Sequence, residues 1–316
     1  MAELPPGRLG YGAANIGNLY RAISDEDARA VLDAAWESGV RYFDTAPHYG
    51  LGLSERRLGA FLATRPRKDY VVSTKVGRLL RPSPETEDRL DEENQFAVPA
   101  SLRRVWDFSA RGVRASLEES LERLGLSEVD VLYLHDPDEH DLEADLASGV
   151  PALAALRDEG LVAAIGIGSK STDALVAAVR TDTLDLAMVA GRYTLLEQPA
   201  LDELIPACRA AGVGIVAAAV FNSGVLSTPR PGRRYEYGDV PATLLERAQR
   251  IAAVCERHGV SLPEAALQFP LREPAVRSVV VGAATPEQAR ENARRVEVDI
   301  PEALWEELAA EGLVPA

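Results

Sequence analysis

Short apolar runs rich in β-branched residues alternate along this chain with longer segments in which apolar residues recur every three or four positions. The first pattern predicts buried strands, and the second predicts amphipathic helices. The run at 129–135 is a clear example of the first, and the segment at 109–124, which Gly125 ends, is a clear example of the second. Eight strand patterns occur, each followed by a helix pattern. This order favours an α/β fold closed into a (β/α)8 TIM barrel over an open doubly wound sheet.

The boundaries of these elements follow from the patterns and their flanking residues. The predicted strands are 8–13, 40–43, 70–75, 129–135, 162–168, 186–190, 213–220 and 276–282. The predicted helices start at Ser24, Ser54 and Ser171, span 109–124, 150–159, 201–211, 242–258, 263–271 and 285–295, and end with one that begins near Pro301. The stretches 78–107 and 225–241 show neither pattern. We predict that 78–107 is a long insertion loop over the active site.

Length, charge and cysteine content narrow the class of protein. The chain has 316 residues, of which 47% are hydrophobic, so one barrel of roughly 250 residues with insertions accounts for 1–316 as a single domain. The net charge of -15 argues against binding to nucleic acid or an anionic membrane, since both need clustered Lys and Arg. No apolar run reaches the ~18 residues of a membrane span, and 1–9 lacks a signal core. Cys208 and Cys255 lie far apart in the sequence and do not have the spacing of a metal site, so we expect a reduced, cytoplasmic protein. We expect it to be a monomer or a small homo-oligomer.

Four polar side chains stand at or just after predicted strand ends. Asp44, Lys75 and His135 end successive strand patterns, and Tyr49 follows Asp44 on a turn. In a barrel the carboxyl ends of the strands form the active-site face, so these groups are expected to meet there. A tyrosine hydroxyl has a pKa near 10, and it needs a neighbouring cation such as Lys75 to favour the phenolate near neutral pH. We expect Asp44 to hold Lys75 charged and His135 to hydrogen-bond the reacting oxygen.

Each of these residues also has an ordinary structural explanation when it is taken alone. A lone tyrosine usually packs with a hydrated hydroxyl, a strand-end lysine usually faces solvent, and a histidine in a strand is usually a satisfied core residue. Four of them at one end of a barrel favour chemistry instead. The acidic stretch 136–141 has the composition of a metal site, but a solvated acidic loop is the commoner meaning of such a run, and we expect no metal.

The sequence DTAPHYG at 44–50 resembles the D-T-A-x-x-Y-G pattern of the aldo-keto reductases. The resemblance continues in VVSTKVG around Lys75 and in VDVLYLHDPD around His135. It implies a TIM barrel, a nicotinamide cofactor and a catalytic tetrad of Asp44, Tyr49, Lys75 and His135. The phrases GRLLRP and VWDFSARGV are similar to the branch of that family with D-threo-aldose and L-fucose 1-dehydrogenases and pyridoxal 4-dehydrogenases.

The same resemblance implies a cofactor site, with some departures from the family pattern. Ser169 matches a serine that holds the nicotinamide amide, but Lys170 replaces the usual asparagine. Ala190 and Ala218 stand where a glutamine and a stacking tyrosine are common. The pyrophosphate loop corresponds to Phe221, Asn222, Ser223 and Gly224. The adenosine end corresponds to Gly282, Gln288 and Asn292.

The residues around the adenosine ribose bear on the choice of dinucleotide. Relatives that prefer NADP hold its 2′-phosphate with a Lys-Ser pair and an Arg, whereas Gly282, Ala283 and Gln288 stand in those places here. The adjoining Glu287 adds negative charge. The sequence therefore predicts NAD as the preferred cofactor, with NADP possible.

The resemblance implies an oxidoreductase acting on a small molecule. The expected reaction oxidises the anomeric hydroxyl of an aldose, or of a comparable cyclic hemiacetal, to a lactone by hydride transfer to NAD, and His48 and Trp106 are candidates to line the sugar pocket. The alternative within the family is a pyridoxal 4-dehydrogenase-like enzyme or a general aldehyde and ketone reductase. Outside it, the alternatives are an aldolase that forms a Schiff base on Lys75 and a non-catalytic, cofactor-sensing subunit.

Overall fold

Parallel strands close into a barrel surrounded by helices, and the predicted fold is confirmed. The computed structural model describes residues 4–5, 7–228, 230, 234–235 and 238–315. The strands, in chain order, are β1 (Leu9–Gly12), β2 (Tyr42–Asp44), β3 (Val71–Val76), β4 (Arg78–Pro82), β5 (Leu90–Asp91), β6 (Phe96–Pro99), β7 (Leu102–Trp106), β8 (Val131–His135), β9 (Ala164–Ser169), β10 (Leu186–Ala190), β11 (Gly214–Ala218), β12 (Arg234–Tyr235), β13 (Gly238–Asp239) and β14 (Val276–Val281). The helices are α1 (Asp25–Glu37), α2 (Leu53–Leu62), α3 (Ala110–Leu124), α4 (Leu142–Asp158), α5 (Thr172–Val179), α6 (Leu204–Ala211), α7 (Ala242–Arg257), α8 (Leu262–Gln268), α9 (Pro286–Val296) and α10 (Glu302–Ala310).

The barrel consists of eight of these strands, in the order β1, β2, β3, β8, β9, β10, β11 and β14, with β14 paired back to β1. Its inside is a packed core, in which the side chains of Tyr42, Tyr133, Met188 and Val216 meet. The residue after Tyr42, Phe43, belongs instead to the larger apolar layer between the strands and the helices. Successive residues of a strand point to opposite faces, so burial on both faces explains the continuous apolar runs of the sequence. No helix of the described residues is long and apolar enough to cross a membrane.

The register of the strands places polar residues at one end of the barrel. Asp44, the last residue of β2, is the ladder partner of Ser73 in β3. Lys75 lies two residues further along β3, and His135 is the last residue of the neighbouring strand β8. The parallel arrangement therefore gathers these side chains at the carboxyl face of the barrel, as the sequence predicted.

Helix ends agree well with the capping patterns of the sequence. The Ser24 hydroxyl accepts a hydrogen bond from Asp27 N at 3.0 Å, and the Asp27 carboxylate accepts one from Ser24 N at 3.4 Å, which completes a capping box. Thr285 caps α9, with Pro286 in its first turn. Gly125 ends α3 in the left-handed conformation, with φ of 64°.

The prediction of an irregular loop at 78–107 was wrong. The segment folds into two hairpins, in which β4 pairs antiparallel with β7 and β5 with β6. Leu80, Phe96 and Val98 bury their side chains together with Leu51 in a small apolar cluster of their own. This cluster stabilises the strands of the hairpins, although the charged and Pro-rich sequence of the segment shows no alternation of apolar and polar residues. The predicted loop 225–241 likewise contains the short strands β12 and β13, while 229, 231–233 and 236–237 lie outside the described residues.

Helix starts also differ from the prediction, at α4 and α2 among others. Helix α4 begins at Leu142 rather than at Val150, because the Asp141 carboxylate caps it by accepting a hydrogen bond from Ala144 N at 3.2 Å. Helix α2 begins after Gly52, which is left-handed, and Ser54 is not its cap. Both errors concern polar residues whose partners depend on the local turn.

Gly59 in α2 offers a test of how tightly the helices pack. A Cβ at residue 59 would lie 2.0 Å from the carbonyl oxygen of Leu124, at the end of α3. We expect Gly59→Ala to lower the free energy of unfolding by ~1–3 kcal/mol, despite a gain of about 1 kcal/mol in helix propensity. Urea unfolding measures the change.

The matched control is Gly149→Ala, inside α4, where the nearest atoms are the mobile methyl groups of Leu134 at 3.0 and 3.1 Å. It is expected to cost less than Gly59→Ala, because side-chain atoms move aside more easily than backbone. Equal unfolding midpoints for the two variants would contradict the backbone contact.

Candidate active site

Tyr49 stands on the short loop between β2 and α2, and two close contacts fix that loop. Gly50 follows it with φ of 62°, and a Cβ at Gly50 would lie 2.1 Å from the carbonyl oxygen of Gly17. Only glycine fits so close a crossing of two backbone segments. On the far side of the loop the buried Ser54 hydroxyl donates to Ala13 O at 2.8 Å. These contacts fix the backbone on both sides of Tyr49.

Lys75 joins the members of the predicted tetrad around its ammonium group. Its Nζ lies 2.6 Å from Asp44 Oδ2, 2.9 Å from Thr45 O and 3.2 Å from the Tyr49 hydroxyl oxygen. An ammonium has three donors, and all three have partners here. The other Asp44 oxygen accepts from the Ser73 hydroxyl at 2.7 Å. Lys75 and Asp44 are 2% and 3% exposed, so this ion pair is buried and its geometry is fixed.

Burial and neighbouring charges set the protonation of Lys75 and Tyr49. Burial alone lowers the pKa of Lys75, but Asp44 and Tyr49 together raise that pKa above its ordinary value. Burial raises the pKa of Tyr49, and Lys75 offsets only part of this effect. The lysine thus acts on the phenol in the expected direction without overcoming burial. At neutral pH Lys75 is charged, and Tyr49 keeps its proton.

His135 faces Tyr49 across the same end of the barrel. Their ring centroids are 5.9 Å apart and the rings are nearly perpendicular, at 88°. Burial, together with the positive charges of Arg78 and Lys75, holds the pKa of His135 well below its usual range. A neutral imidazole has one ring nitrogen as a donor and one as an acceptor. His135 can therefore give a hydrogen bond to an oxygen that also contacts the Tyr49 hydroxyl.

A cavity of about 340 Å³ opens above these groups. Tyr49, His135 and the predicted substrate residue His48 line it. Trp106, the other predicted substrate residue, lines an adjoining cavity instead and lies against the Arg78 guanidinium, 4.4 Å from the ring centroid to Cζ. The structure thus brings His48 to the tetrad but sets Trp106 behind Arg78.

Comparison with known proteins identifies the family to which this site belongs. The model of the Aldo/keto reductase family matches residues 8–310. The chain belongs to the aldo/keto reductase family. A D-threo-aldose 1-dehydrogenase of Pseudomonas sp is 61% identical over 310 residues, covering 97% of this chain and 94% of the relative. A pyridoxal 4-dehydrogenase of Microbacterium luteolum is 38% identical over 322 residues, covering 97% and 94%.

Solved structures agree on the fold. An aldo-keto reductase from Bacillus halodurans, in its holo form, superposes with a TM-score of 0.75 at 23% identity, covering 98% of this chain and 92% of the other. A glycerol dehydrogenase from Gluconobacter oxydans gives a TM-score of 0.73 at 20% identity, covering 98% and 94%. The resemblance that the DTAPHYG stretch suggested is thus confirmed over nearly the whole chain.

Aldo/keto reductases use nicotinamide cofactors, and the cavity of this member fits the flat ring of one. Ala190, Gly191 and Ala219 line it with little side-chain bulk, and Lys170 lines it beside them. The Ser169 hydroxyl donates to Asp138 Oδ1 at 2.6 Å and accepts from Ser171 N at 2.8 Å. These bonds fix the position of the Ser169 hydroxyl, and its contact with the nicotinamide amide stays a prediction.

The predicted pyrophosphate loop has an unusual backbone. Asn222, Ser223 and Gly224 have successive positive φ angles of 46°, 56° and 91°, and Phe221 precedes them. Turns of this kind form concave surfaces that bind anions. Asn222 donates from Nδ2 to Glu197 Oε2 at 3.2 Å, whereas its buried Oδ1 has no partner within the described residues. Because an amide oxygen is an acceptor, Oδ1 could take a hydroxyl donor of a bound cofactor but not an oxygen of its pyrophosphate.

The predicted adenosine residues lie at the next strand end, outside the lining of the cavity. Gln288 accepts at Oε1 from Ala284 N at 2.8 Å. Asn292 donates from Nδ2 to Gly282 O at 3.4 Å and accepts from Arg295 at 3.1 Å. These bonds shape the turn between β14 and α9, and contact with adenosine stays a prediction.

The prediction of a solvated acidic loop at 136–141 was wrong for two of its members. Asp136 is hydrogen-bonded to the buried guanidinium of Arg78, and Asp138 to Ser169. Sequence reasoning gave neither Arg78 nor Asp136 a role in the site, although the position of Asp136 directly after the strand-end His135 was an available signal. Among the described residues, no group of three or more His, Cys, Asp or Glu side chains is arranged to hold a metal.

We expect Tyr49→Phe to lower turnover by about 10² to 10⁴-fold while dinucleotide affinity stays near the wild-type value, because the change removes the proton carrier and none of the residues predicted to hold the dinucleotide. Initial rates and a fluorescence titration with the dinucleotide test the two halves. Tyr70→Phe, at the opposite end of β3, is the matched control. If Tyr49→Phe kept more than about a tenth of the rate, the proton would have another carrier, and His135 would be the next candidate.

Proposed function

We propose that this enzyme oxidises the anomeric hydroxyl of an aldose to a lactone, with NAD as the hydride acceptor. The observation that carries the proposal is the hydrogen-bonded Lys75, Tyr49 and Asp44 cluster in a chain 61% identical to a protein named D-threo-aldose 1-dehydrogenase. The polar lining of the cavity supports it, because Arg78, Asp136 and Glu139 offer donors and acceptors to a polyhydroxylated ligand.

Tyr49, Lys75 and His135 each have a separate role in the proposed reaction. The nicotinamide ring, when bound, accepts the hydride that leaves the anomeric carbon. The Tyr49 oxygen takes the hydroxyl proton as the carbon–oxygen double bond forms, so a hydride and a proton, together two electrons and two protons, leave the sugar. Lys75 stabilises the phenolate that must precede this step, and His135 donates a hydrogen bond to the substrate oxygen. In the reductive direction the protonated Tyr49 is already in the required state.

The charge on Lys75 weighs against a Schiff-base aldolase. A lysine that attacks a carbonyl must be an unprotonated amine, and such lysines have lowered pKa values. Here Asp44 and Tyr49 raise the pKa of Lys75, and its three donors are occupied. A pyridoxal dehydrogenase is the second candidate, favoured by the 38% identity to the Microbacterium luteolum protein.

We assign the control of substrate choice to the two hairpins of 78–106. Arg104 donates from Nη2 to His48 O at 2.7 Å, and the Phe96 ring centroid lies 5.5 Å from that of His48. The hairpins therefore hold His48 at the cavity wall. Trp106 acts indirectly in this assignment, by supporting Arg78 through a cation–π contact.

The preference for NAD rests on the side chains around the β14–α9 turn. Gly282 and Gln288 carry no charge, and Glu287 is exposed beside them. Arg294 is bound to Glu264 at 3.1 Å and Arg295 to Glu291 at 2.7 Å, so neither reaches over the turn. Without a fixed cation a 2′-phosphate gains few charged hydrogen bonds there.

Arg21 also contacts this turn, although its place in the sequence did not suggest that it would. Its Nη2 donates to Ala284 O at 3.2 Å, from an exposed position after β1. An exposed guanidinium adds little to binding of a phosphate unless it becomes ordered. We therefore keep NAD as the proposed cofactor and treat Arg21 as the residue to examine if NADP proves better.

We expect Gln288→Arg to raise the ratio of kcat/KM for NADP to that for NAD by about tenfold, the value of one charged hydrogen bond. Both values are measured with one sugar. Gln249→Arg makes the same change on α7 and is the control for net charge. A wild-type lead for NADP would contradict the proposed preference, and Arg21→Ala would then show whether that residue supplies the missing cation.

The substrate is tested directly by following NADH absorbance with L-fucose, D-arabinose, L-galactose and pyridoxal. We expect the sugars to be oxidised with a higher kcat/KM than pyridoxal. Turnover of pyridoxal without turnover of any aldose would overturn the proposed function in favour of the second candidate.

A further inference from the structure

Asp136 is a carboxylate at the wall of the cavity, directly after the catalytic strand end. Its N–H donates to Gly168 O at 2.9 Å, and its carbonyl accepts from Glu139 N at 3.0 Å. Its φ is 46°, a left-handed value that aspartate tolerates better than most residues. Backbone bonds on both sides therefore hold Asp136 in a defined position next to His135.

Arg78 fixes the side chain of Asp136. The guanidinium is 5% exposed, and its Nη2 bonds both to Asp136 Oδ2 and, at 3.1 Å, to Glu139 Oε2. Its Nη1 lies 3.3 Å from His48 Nδ1, and its plane lies over Trp106. Because Arg78 begins the first hairpin strand, it ties the hairpins of 78–106 to the barrel at this carboxylate.

One oxygen of Asp136 is left for a ligand. Oδ2 is bound to Arg78 and lies 3.4 Å from His135 Nε2. Within the described residues Oδ1 has no hydrogen-bond partner, although the side chain is only 20% exposed and lines the cavity. Burial raises the pKa of Asp136 to about 6, so the group is ionised at neutral pH but poorly solvated. A poorly solvated carboxylate gains from a hydroxyl donor and has nothing to gain from a carbonyl or a methyl group.

The position of Asp136 determines which hydroxyl it meets. The reacting oxygen must contact both the Tyr49 hydroxyl and His135 Nε2, and Asp136 Oδ2 is 3.4 Å from that nitrogen. The carboxylate therefore lies beside the reacting oxygen, within reach of a hydroxyl on the neighbouring carbon. This argument rests on the proposed function, since it takes the reacting carbon to be the anomeric carbon of a sugar.

We propose that Asp136 is a specificity-determining residue that accepts a hydrogen bond from the sugar hydroxyl next to the anomeric carbon, with Arg78 as its positioning residue. An aldose that carries this 2-hydroxyl fills the free acceptor. A 2-deoxy sugar would cover this carboxylate oxygen without giving it a donor, and sites built to hydrogen-bond a substrate hydroxyl reject such analogues strongly.

The experiment pairs one change in the enzyme with one change in the substrate. We measure kcat/KM for the best aldose of the panel and for its 2-deoxy analogue, with wild type and with Asp136→Asn. Wild type is expected to prefer the parent sugar by about 10- to 100-fold, the range for a hydrogen bond to a charged group. Asp136→Asn is expected to reduce that preference at least tenfold, through a loss on the parent sugar that exceeds the loss on the analogue.

Two further variants show whether a change in substrate preference comes from the Asp136 side chain or from a general effect on folding. Asp136→Gly suits the positive φ, removes the whole side chain and is expected to give the same loss of preference. Glu273→Gln changes a carboxylate that is likewise buried and paired with an arginine, Arg209, but lies before β14, at the end of the barrel away from the cavity, and it is expected to leave the preference unchanged.

The possible results separate this proposal from the proposed function. Equal losses on both sugars would overturn it and assign Asp136 to the orientation of His135. An unchanged preference in Asp136→Asn would overturn it as well. If wild type oxidised no aldose, the proposed function would fail, and that result is visible before any variant is made.

Discussion

The buried ion pair between Asp44 and Lys75 is the constraint on which the active site depends. Moving two charges out of water costs several kcal/mol per ion, and mutual attraction offsets this only when the remaining donors and acceptors are also satisfied. The structure meets that condition with Thr45 O, the Tyr49 hydroxyl and the Ser73 hydroxyl. Losing any one partner would leave a buried charge short of a hydrogen bond. The register of β2 with β3 and the loop that carries Tyr49 are therefore fixed together.

This arrangement decides how the proton moves. In the proposed reaction Lys75, which is charged and held in place by its hydrogen bonds, lowers the cost of a phenolate on Tyr49 without being a proton donor itself. His135 stays neutral because burial and two cations oppose its protonation. A second buried network around Arg78 continues from His48 to the hairpins, so the groups that we assign to chemistry and to sugar recognition share one cavity wall.

The barrel and the meeting of the predicted tetrad residues at one end of it were predictable because both depend on features local to each strand. An apolar run and its final polar residue are read directly from the sequence, and the closed topology then brings Asp44, Lys75 and His135 together. The hairpins of 78–106 were missed because their apolar cluster forms with Leu51, far away in the sequence. Asp136 was misassigned for a related reason, since an acidic run looks solvated until a buried arginine such as Arg78 is found beside it. Partners that are distant in sequence thus explain what the pattern could not predict.

The most direct test of the account is the pH dependence of kcat/KM for aldose oxidation, from about pH 6 to 10. Oxidation requires Tyr49 without its proton, and burial raises the pKa of Tyr49, so the phenolate fraction grows through the neutral and alkaline range. Asp136, with a pKa of about 6, is fully ionised well below pH 8. We expect kcat/KM for oxidation to keep rising above pH 8. A profile that is level above pH 8 would contradict it, because the proton would then be taken by a group that titrates far below a buried tyrosine.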